Sequence, residues 1–175
     1  PAAVTDARWW GGEPIWVTAE RQGQKAAAFF WPGSEAPIRG VRPTYWKVYD
    51  DDFPGAARVD TVLAWLDLPA AQRPTLVTLY FSAVDHAGHD YGPLAPETAA
   101  AVEEVDAYLG RLVEGLRRRG LYDEVNLIVV SDHGMAGTDP ARVVVLDDYV
   151  DLADVEVVDW NPVLMLYPAE GREEA

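Results

Sequence analysis

Thr75-Leu-Val-Thr-Leu-Tyr-Phe-Ser-Ala-Val84 is a short apolar run that ends in Asp85-His86-Ala-Gly-His89, and Glu124-Val-Asn-Leu-Ile-Val-Val130 ends in the same manner in Ser131-Asp132-His133-Gly134. Runs of this length, rich in β-branched and apolar residues, predict buried strands of a parallel sheet. Between them, residues 96–119 place Val102, Val105, Leu109, Leu112, Val113 and Leu116 on one stripe, which predicts the longest helix. Its acids gather near the start and its bases near the end, in keeping with the helix dipole, and Gly120 suits the position just past that end.

Upstream, residues 13–24 predict a short helix, with Pro14 in the first turn and Gly23 as the stop. Residues 26–31 predict a strand closed by Pro32-Gly33. Residues 55–68 predict a helix through Val59, Val62, Leu63 and Leu66, ended by Pro69. The stretch 34–52 has no sustained period and predicts a long ordered loop, a kind of segment that often carries function. Two further β-like runs follow at 142–146 and 163–167, and 170–175 reads as a solvated acidic tail. Strands alternating with helices give an α/β fold with a mostly parallel sheet, and both Asp/His clusters are expected at the same sheet edge.

All three histidines of the 175-residue chain lie in those clusters. Ligands in open α/β sheets gather beyond the carboxyl ends of the strands. Cysteine is absent, so any metal here is held by imidazole and carboxylate. Asp85 and His89 are four apart, a spacing that one helical turn or a tight loop brings onto one ion. Asp132 and His133 are adjacent and can share an ion only where the chain leaves strand geometry, as at Gly134. Taken singly, an Asp-His pair at a strand end is more often a loop cap or hydrogen-bonded turn than a ligand pair. His86 is expected to face away as a supporting residue, Asp90 to serve a turn, and Asp50–Asp52 and Asp147-Asp148 to be solvated rather than metal-binding.

A formal charge of −15 argues against nucleic-acid polymers and anionic membranes as general partners. An anionic substrate would need concentrated local positive charge, which bound divalent metal supplies. No apolar run reaches membrane-span length, and the N-terminus lacks the basic-then-apolar order of a signal peptide. The missing initiator Met points to processing or excision from a longer chain.

Val84-Asp-His-Ala-Gly-His-Asp-Tyr-Gly-Pro93, Val130-Ser-Asp-His-Gly-Met135 and Arg42-Pro-Thr-Tyr-Trp-Lys-Val-Tyr49 together resemble the nucleotide pyrophosphatase/phosphodiesterase family of the alkaline phosphatase superfamily. The resemblance runs from Trp9 to Gly137. It implies two zinc ions, with Asp85 and His89 as ligands of one and Asp132 and His133 as ligands of the other. It implies that Tyr49 and Tyr80 line a nucleotide base pocket, although an aromatic in a strand, such as Tyr80, ordinarily packs in a core. The implied reaction is hydrolysis of phosphodiester or pyrophosphate bonds to release nucleoside monophosphates, in a secreted or periplasmic protein. The family's Thr or Ser nucleophile and a further His ligand have no counterpart in these residues, so the chain is expected to be the central portion, 1–175, of one catalytic domain and inactive alone. A phosphomonoesterase or phosphomutase of the same superfamily, or a non-catalytic metal-binding module, remains an alternative. Oligomeric state is left open by the sequence.

Overall fold

β1 (Ala26–Phe29) is the central strand of a three-stranded sheet, and its four residues are fully buried because helices and loops cover both of its faces. The computed structural model describes residues 4–160 and 163–172, which fall into two compact units, 1–136 and 137–175. In the first unit the elements run α1 (Ile15–Arg21), β1, β2 (Tyr45–Trp46), α2 (Gly55–Leu66), β3 (Leu76–Leu79), α3 (Ala83–Tyr91) and α4 (Pro96–Arg118). The strand order is β2-β1-β3 and every pairing is parallel, with Ala27 opposite Tyr45 and Phe29 opposite Leu79.

Side chains three apart on a strand face opposite ways, and the core divides accordingly. Ala26 joins Trp16, Val17, Ala36 and Ile38 on one side. Phe29 joins Val59, Val62, Leu63, Leu112 and Leu116 on the other, where α2 delivers its predicted stripe and α4 only the later part of its own, Val102 being exposed. The end of α4 closes as a Schellman motif: Leu121 N–H donates to the Leu116 carbonyl at 3.0 Å, Gly120 N–H donates to that of Arg117 at 3.0 Å, and Gly120 takes φ +65°.

Two bidentate ion pairs strap α4 to α2. Arg111 donates to Asp60 through two bonds of 2.8 Å, and Arg119 donates to Asp67, the residue after α2, through two of 2.7 Å. The guanidinium bound to each aspartate holds its carboxyl below the ordinary value of 3.8. A carboxyl depressed in the folded state stabilises fully above its unfolded pKa, and that contribution fades as pH falls through the folded value. The thermal midpoint is therefore expected to drop as pH is lowered from about 5 to about 3, and an Asp60→Asn/Asp67→Asn variant to lose part of that acid sensitivity. Equal acid sensitivity in the variant would place the acid-labile groups elsewhere.

The structure departs from the sequence expectations in several places. The run 75–84 is strand only to Leu79, and α3 begins at Ala83, so the first cluster lies on a helix and Asp90 is helical rather than a turn residue. Residues 124–130 form no strand; Leu127, Ile128, Val129 and Val130 are exposed. A strand exists only by pairing, and none of the described strands lies beside this run, so its composition alone does not make it one. The second cluster consequently emerges from irregular chain. The loop 34–52 contains β2 and an Ile38–Val41 bridge.

In the second unit, 142–146 is not a strand but connects two short 3-10 turns, Pro140–Arg142 and Leu146–Asp148. β4 (Val155–Asp159) pairs antiparallel with β5 (Met165–Pro168), which overlaps the second β-like run from 165 onward. Of the expected tail, 173–175 lie outside the described residues, and Arg172 pairs with Asp154 at 3.1 Å. No helix among the described residues is long and apolar enough to cross a membrane.

Candidate metal centre

β3 delivers the chain to the site. Tyr80 N–H donates to the Phe29 carbonyl at 3.1 Å, extending the parallel ladder by one residue, and the chain turns into α3 three residues later. Positions i and i+4 share a helix face. His89 Nε2 accordingly lies 3.5 Å from Asp85 Oδ1. His133 Nε2 approaches the same oxygen at 3.9 Å and lies 3.5 Å from Asp132 Oδ2. All four candidate ligands thus form a chain of close pairs, with Asp85 in the middle.

What lets the two clusters approach is a glycine. A Cβ at Gly88 would sit 2.4 Å from Met135 Sδ, so the thioether of the second motif fills the space that the missing side chain leaves on α3. Beyond α3 the irregular chain is held by local bonds: Ser131 Oγ donates to the His133 carbonyl, and His133 N–H donates to Asp132 Oδ1 at 3.1 Å. His133 Nδ1 lies 3.0 Å from the Gly134 carbonyl, which can only accept, so Nδ1 carries the hydrogen and Nε2 is turned to the carboxylates. That carbonyl is the main reason the imidazole holds its proton more firmly than usual, with Asp132 and Asp85 adding to it.

Donor type and environment both suit a divalent cation. Asp85 Oδ1 is screened from solvent and has no hydrogen-bond donor, which is costly for a carboxylate oxygen unless a cation satisfies it. Imidazole nitrogen with carboxylate oxygen is a zinc-compatible set, though a catalytic zinc takes three protein ligands. Among the described residues no three His, Asp or Glu side chains form a group that could hold an ion, and the four candidates meet only pair by pair.

Tyr80 lies within electrostatic reach of Asp132 and Asp85, and Tyr49 within reach of Tyr80. The Tyr80 phenol is pushed above its ordinary pKa by burial first, then by the carboxylate of Asp132, by Tyr49 and by Asp85. It also packs against the Phe29 cluster, so core packing and site lining coincide in one residue. Tyr49 is half exposed, and burial followed by its bond to Asp51 raises its pKa.

Asp51 is exposed, as expected of its run, but it is also organised by hydrogen bonds. Its Oδ1 accepts from Tyr49 Oη at 2.6 Å and from Ser82 Oγ at 2.8 Å, and these bonds hold its pKa down. His86 Nδ1 lies 3.3 Å from its Oδ2, so His86 supports from outside the ligand pairs, as its place on the helix implied. Sequence reading missed Asp51, Arg58 and Met135. For Met135 the available signal was a methionine two residues after a candidate histidine; nothing local marks Asp51 or Arg58.

Comparison with known proteins gives the family and the fold. The model of the type I phosphodiesterase / nucleotide pyrophosphatase family matches residues 2–175. The chain is 49% identical over 151 residues to a venom phosphodiesterase of Macrovipera lebetinus, covering 86% of this chain and 18% of that protein. It is 40% identical over 163 residues to ectonucleotide pyrophosphatase/phosphodiesterase family member 1 of Homo sapiens, covering 93% and 18%. An inactive form of murine ectonucleotide pyrophosphatase/phosphodiesterase 5, solved with AMP, superposes with a TM-score of 0.87 at 36% identity, covering 96% of this chain and 45% of that one. The chain therefore spans less than a fifth of the length of those curated relatives. Its α/β architecture, its paired Asp/His motifs and these matches agree: it belongs to the type I phosphodiesterase/nucleotide pyrophosphatase family.

Proposed function

We propose that these residues form the central portion of the catalytic domain of a two-zinc phosphodiesterase that cleaves phosphodiester or pyrophosphate bonds in nucleotides and releases nucleoside monophosphates. The observation that carries this reading is Asp85 Oδ1, sheltered and unbonded between His89 and His133. Asp85 and His89 would hold one zinc, Asp132 and His133 the other. When bound, the two ions supply positive charge for the phosphoryl oxygens and for an attacking hydroxyl. The residues themselves orient and hold: Gly134 fixes the His133 ring, and Met135 against Gly88 keeps the pairs adjacent.

Tyr49 and Tyr80 present aromatic surface to a base on the same side as the ligand pairs. The AMP bound to the murine relative supports a nucleotide as the small-molecule partner. A net charge of −15 makes the metals the source of the attraction that an anionic substrate requires. The nucleophile, a Thr or Ser, is supplied from outside this chain. Venom and ecto-enzyme relatives support a secreted or periplasmic setting.

The intact protein is expected to hydrolyse the nitrophenyl ester of thymidine monophosphate. Activity should vanish with a chelator and return with zinc, while the 175-residue chain alone should give no turnover. Preference for nitrophenyl phosphate, a monoester, would favour the phosphomonoesterase alternative.

A further inference from the structure

Tyr49 follows β2 in irregular chain, yet it is held at three points. Its N–H donates to Glu35 Oε1 at 2.9 Å, and its ring meets Phe30 edge-on at 5.3 Å. Phe30 takes φ +60°, a backbone conformation that bulky residues rarely adopt, and from it the ring reaches Tyr49, Phe53 and the Arg58 guanidinium. The third point is the hydroxyl, bonded to Asp51.

Asp51 does more than hold that hydroxyl. The same oxygen binds Ser82, the residue before α3, and its second oxygen faces His86 one turn along. Ser82 and His86 lie on either side of Asp85 in sequence, so one carboxylate joins the tyrosine to the helix that carries the first ligand pair. Arg58, 4% exposed, completes the bracket through three carbonyls: Phe53 at 2.9 Å, Asp51 at 3.1 Å and Tyr80 at 3.2 Å. The loop that holds Tyr49 and the strand end that holds Tyr80 are thereby tied to one buried guanidinium. Buried charge of this kind persists where its hydrogen bonds are satisfied.

We infer that Asp51 is a positioning residue for nucleotide recognition: by bonding Tyr49 and Ser82 together, it sets the reach between the base-contacting tyrosine and the Asp85–His89 helix. It thereby favours nucleoside-bearing esters over diesters without a base. The inference rests on the proposed roles of Tyr49 and of the ligand pairs. Asp51 touches neither substrate nor metal in this scheme.

The test uses the zinc-loaded intact protein and two substrates, the nitrophenyl ester of thymidine monophosphate and bis-nitrophenyl phosphate, which carries no base. Asp51→Ala should raise KM for the nucleoside ester and lower the ratio of kcat/KM between the two substrates by about tenfold, the size expected for one lost positioning hydrogen bond. Tyr49→Phe, which removes only the hydroxyl, should shift the ratio in the same direction. The double variant should be no worse than the stronger single one, because both delete the same bond, that between Tyr49 and Asp51. Asp51→Asn keeps an oxygen that accepts from both hydroxyls and should recover most of the ratio. An unchanged ratio in Tyr49→Phe and Asp51→Ala, or an equal loss of kcat on both substrates, overturns the inference while leaving the proposed reaction standing. Failure of the zinc-loaded wild type to hydrolyse either ester overturns the nucleotide reading and the inference with it.

Discussion

Asp85→Ala is expected to reduce kcat/KM of the intact, zinc-loaded protein by at least about a thousandfold, since losing even a partner of a metal ligand commonly costs 10–100-fold. Among the described residues Asp85 is the one carboxylate within 4 Å of imidazoles from both clusters, at 3.5 and 3.9 Å, so its removal is expected to weaken both pairs at once. Asp132→Ala should likewise abolish activity, through the second pair alone. Zinc content measured by equilibrium dialysis should fall with turnover in both variants. The sheltered Asp85 oxygen has no hydrogen-bond partner, so removing it relieves an unsatisfied polar atom. The metal-free Asp85→Ala protein should therefore melt no lower than the metal-free wild type, which separates a ligand from a structural residue. Full activity after Asp132→Ala would show that the second pair is not a metal site.

Phe29→Ala is expected to cost about 3–5 kcal/mol of folding stability, read from denaturant midpoints at constant slope. Phe29 is fully buried at the end of the central strand. Its ring lies 4.5 Å from Phe30, 5.4 Å from Phe53 and 5.8 Å from Trp65, so the truncation empties the junction of β1, α2 and the loop before α2. Domains are commonly stable by about 5–15 kcal/mol, so the variant should be partly unfolded under mild conditions. Phe29→Leu keeps most of the volume and should cost about 1.5 kcal/mol or less. A loss below about 1 kcal/mol for the alanine would mean that the surroundings collapse to fill the space.

The helices were legible because a helix declares its partner face within its own sequence. Val59, Val62 and Leu63, and Leu112 and Leu116, repeat at helical spacing and are buried as that spacing predicts. Strands declare only that they can pair, not with what. Residues 26–29 and 76–79 found each other, while 124–130, richer in β-branched residues than either, pairs with none of the described strands. The Asp85–His89 spacing held its meaning through the change from expected strand end to helix, since i and i+4 meet on one face. Asp51 and Arg58 were invisible for the opposite reason. Their partners are a carbonyl or hydroxyl up to 31 positions away, and nothing in the local pattern of Asp50–Asp52 separates the organised middle carboxylate from its neighbours.

The contact between Gly88 and Met135 also bears on how such a sequence can change over time. The two positions lie 47 residues apart in different motifs, yet they draw on one pocket of space, since a methyl at 88 would fall 2.4 Å from the sulfur of 135. Bulk gained at the first position requires the Met135 thioether to shift or to be shortened, so a change in one motif is felt in the other.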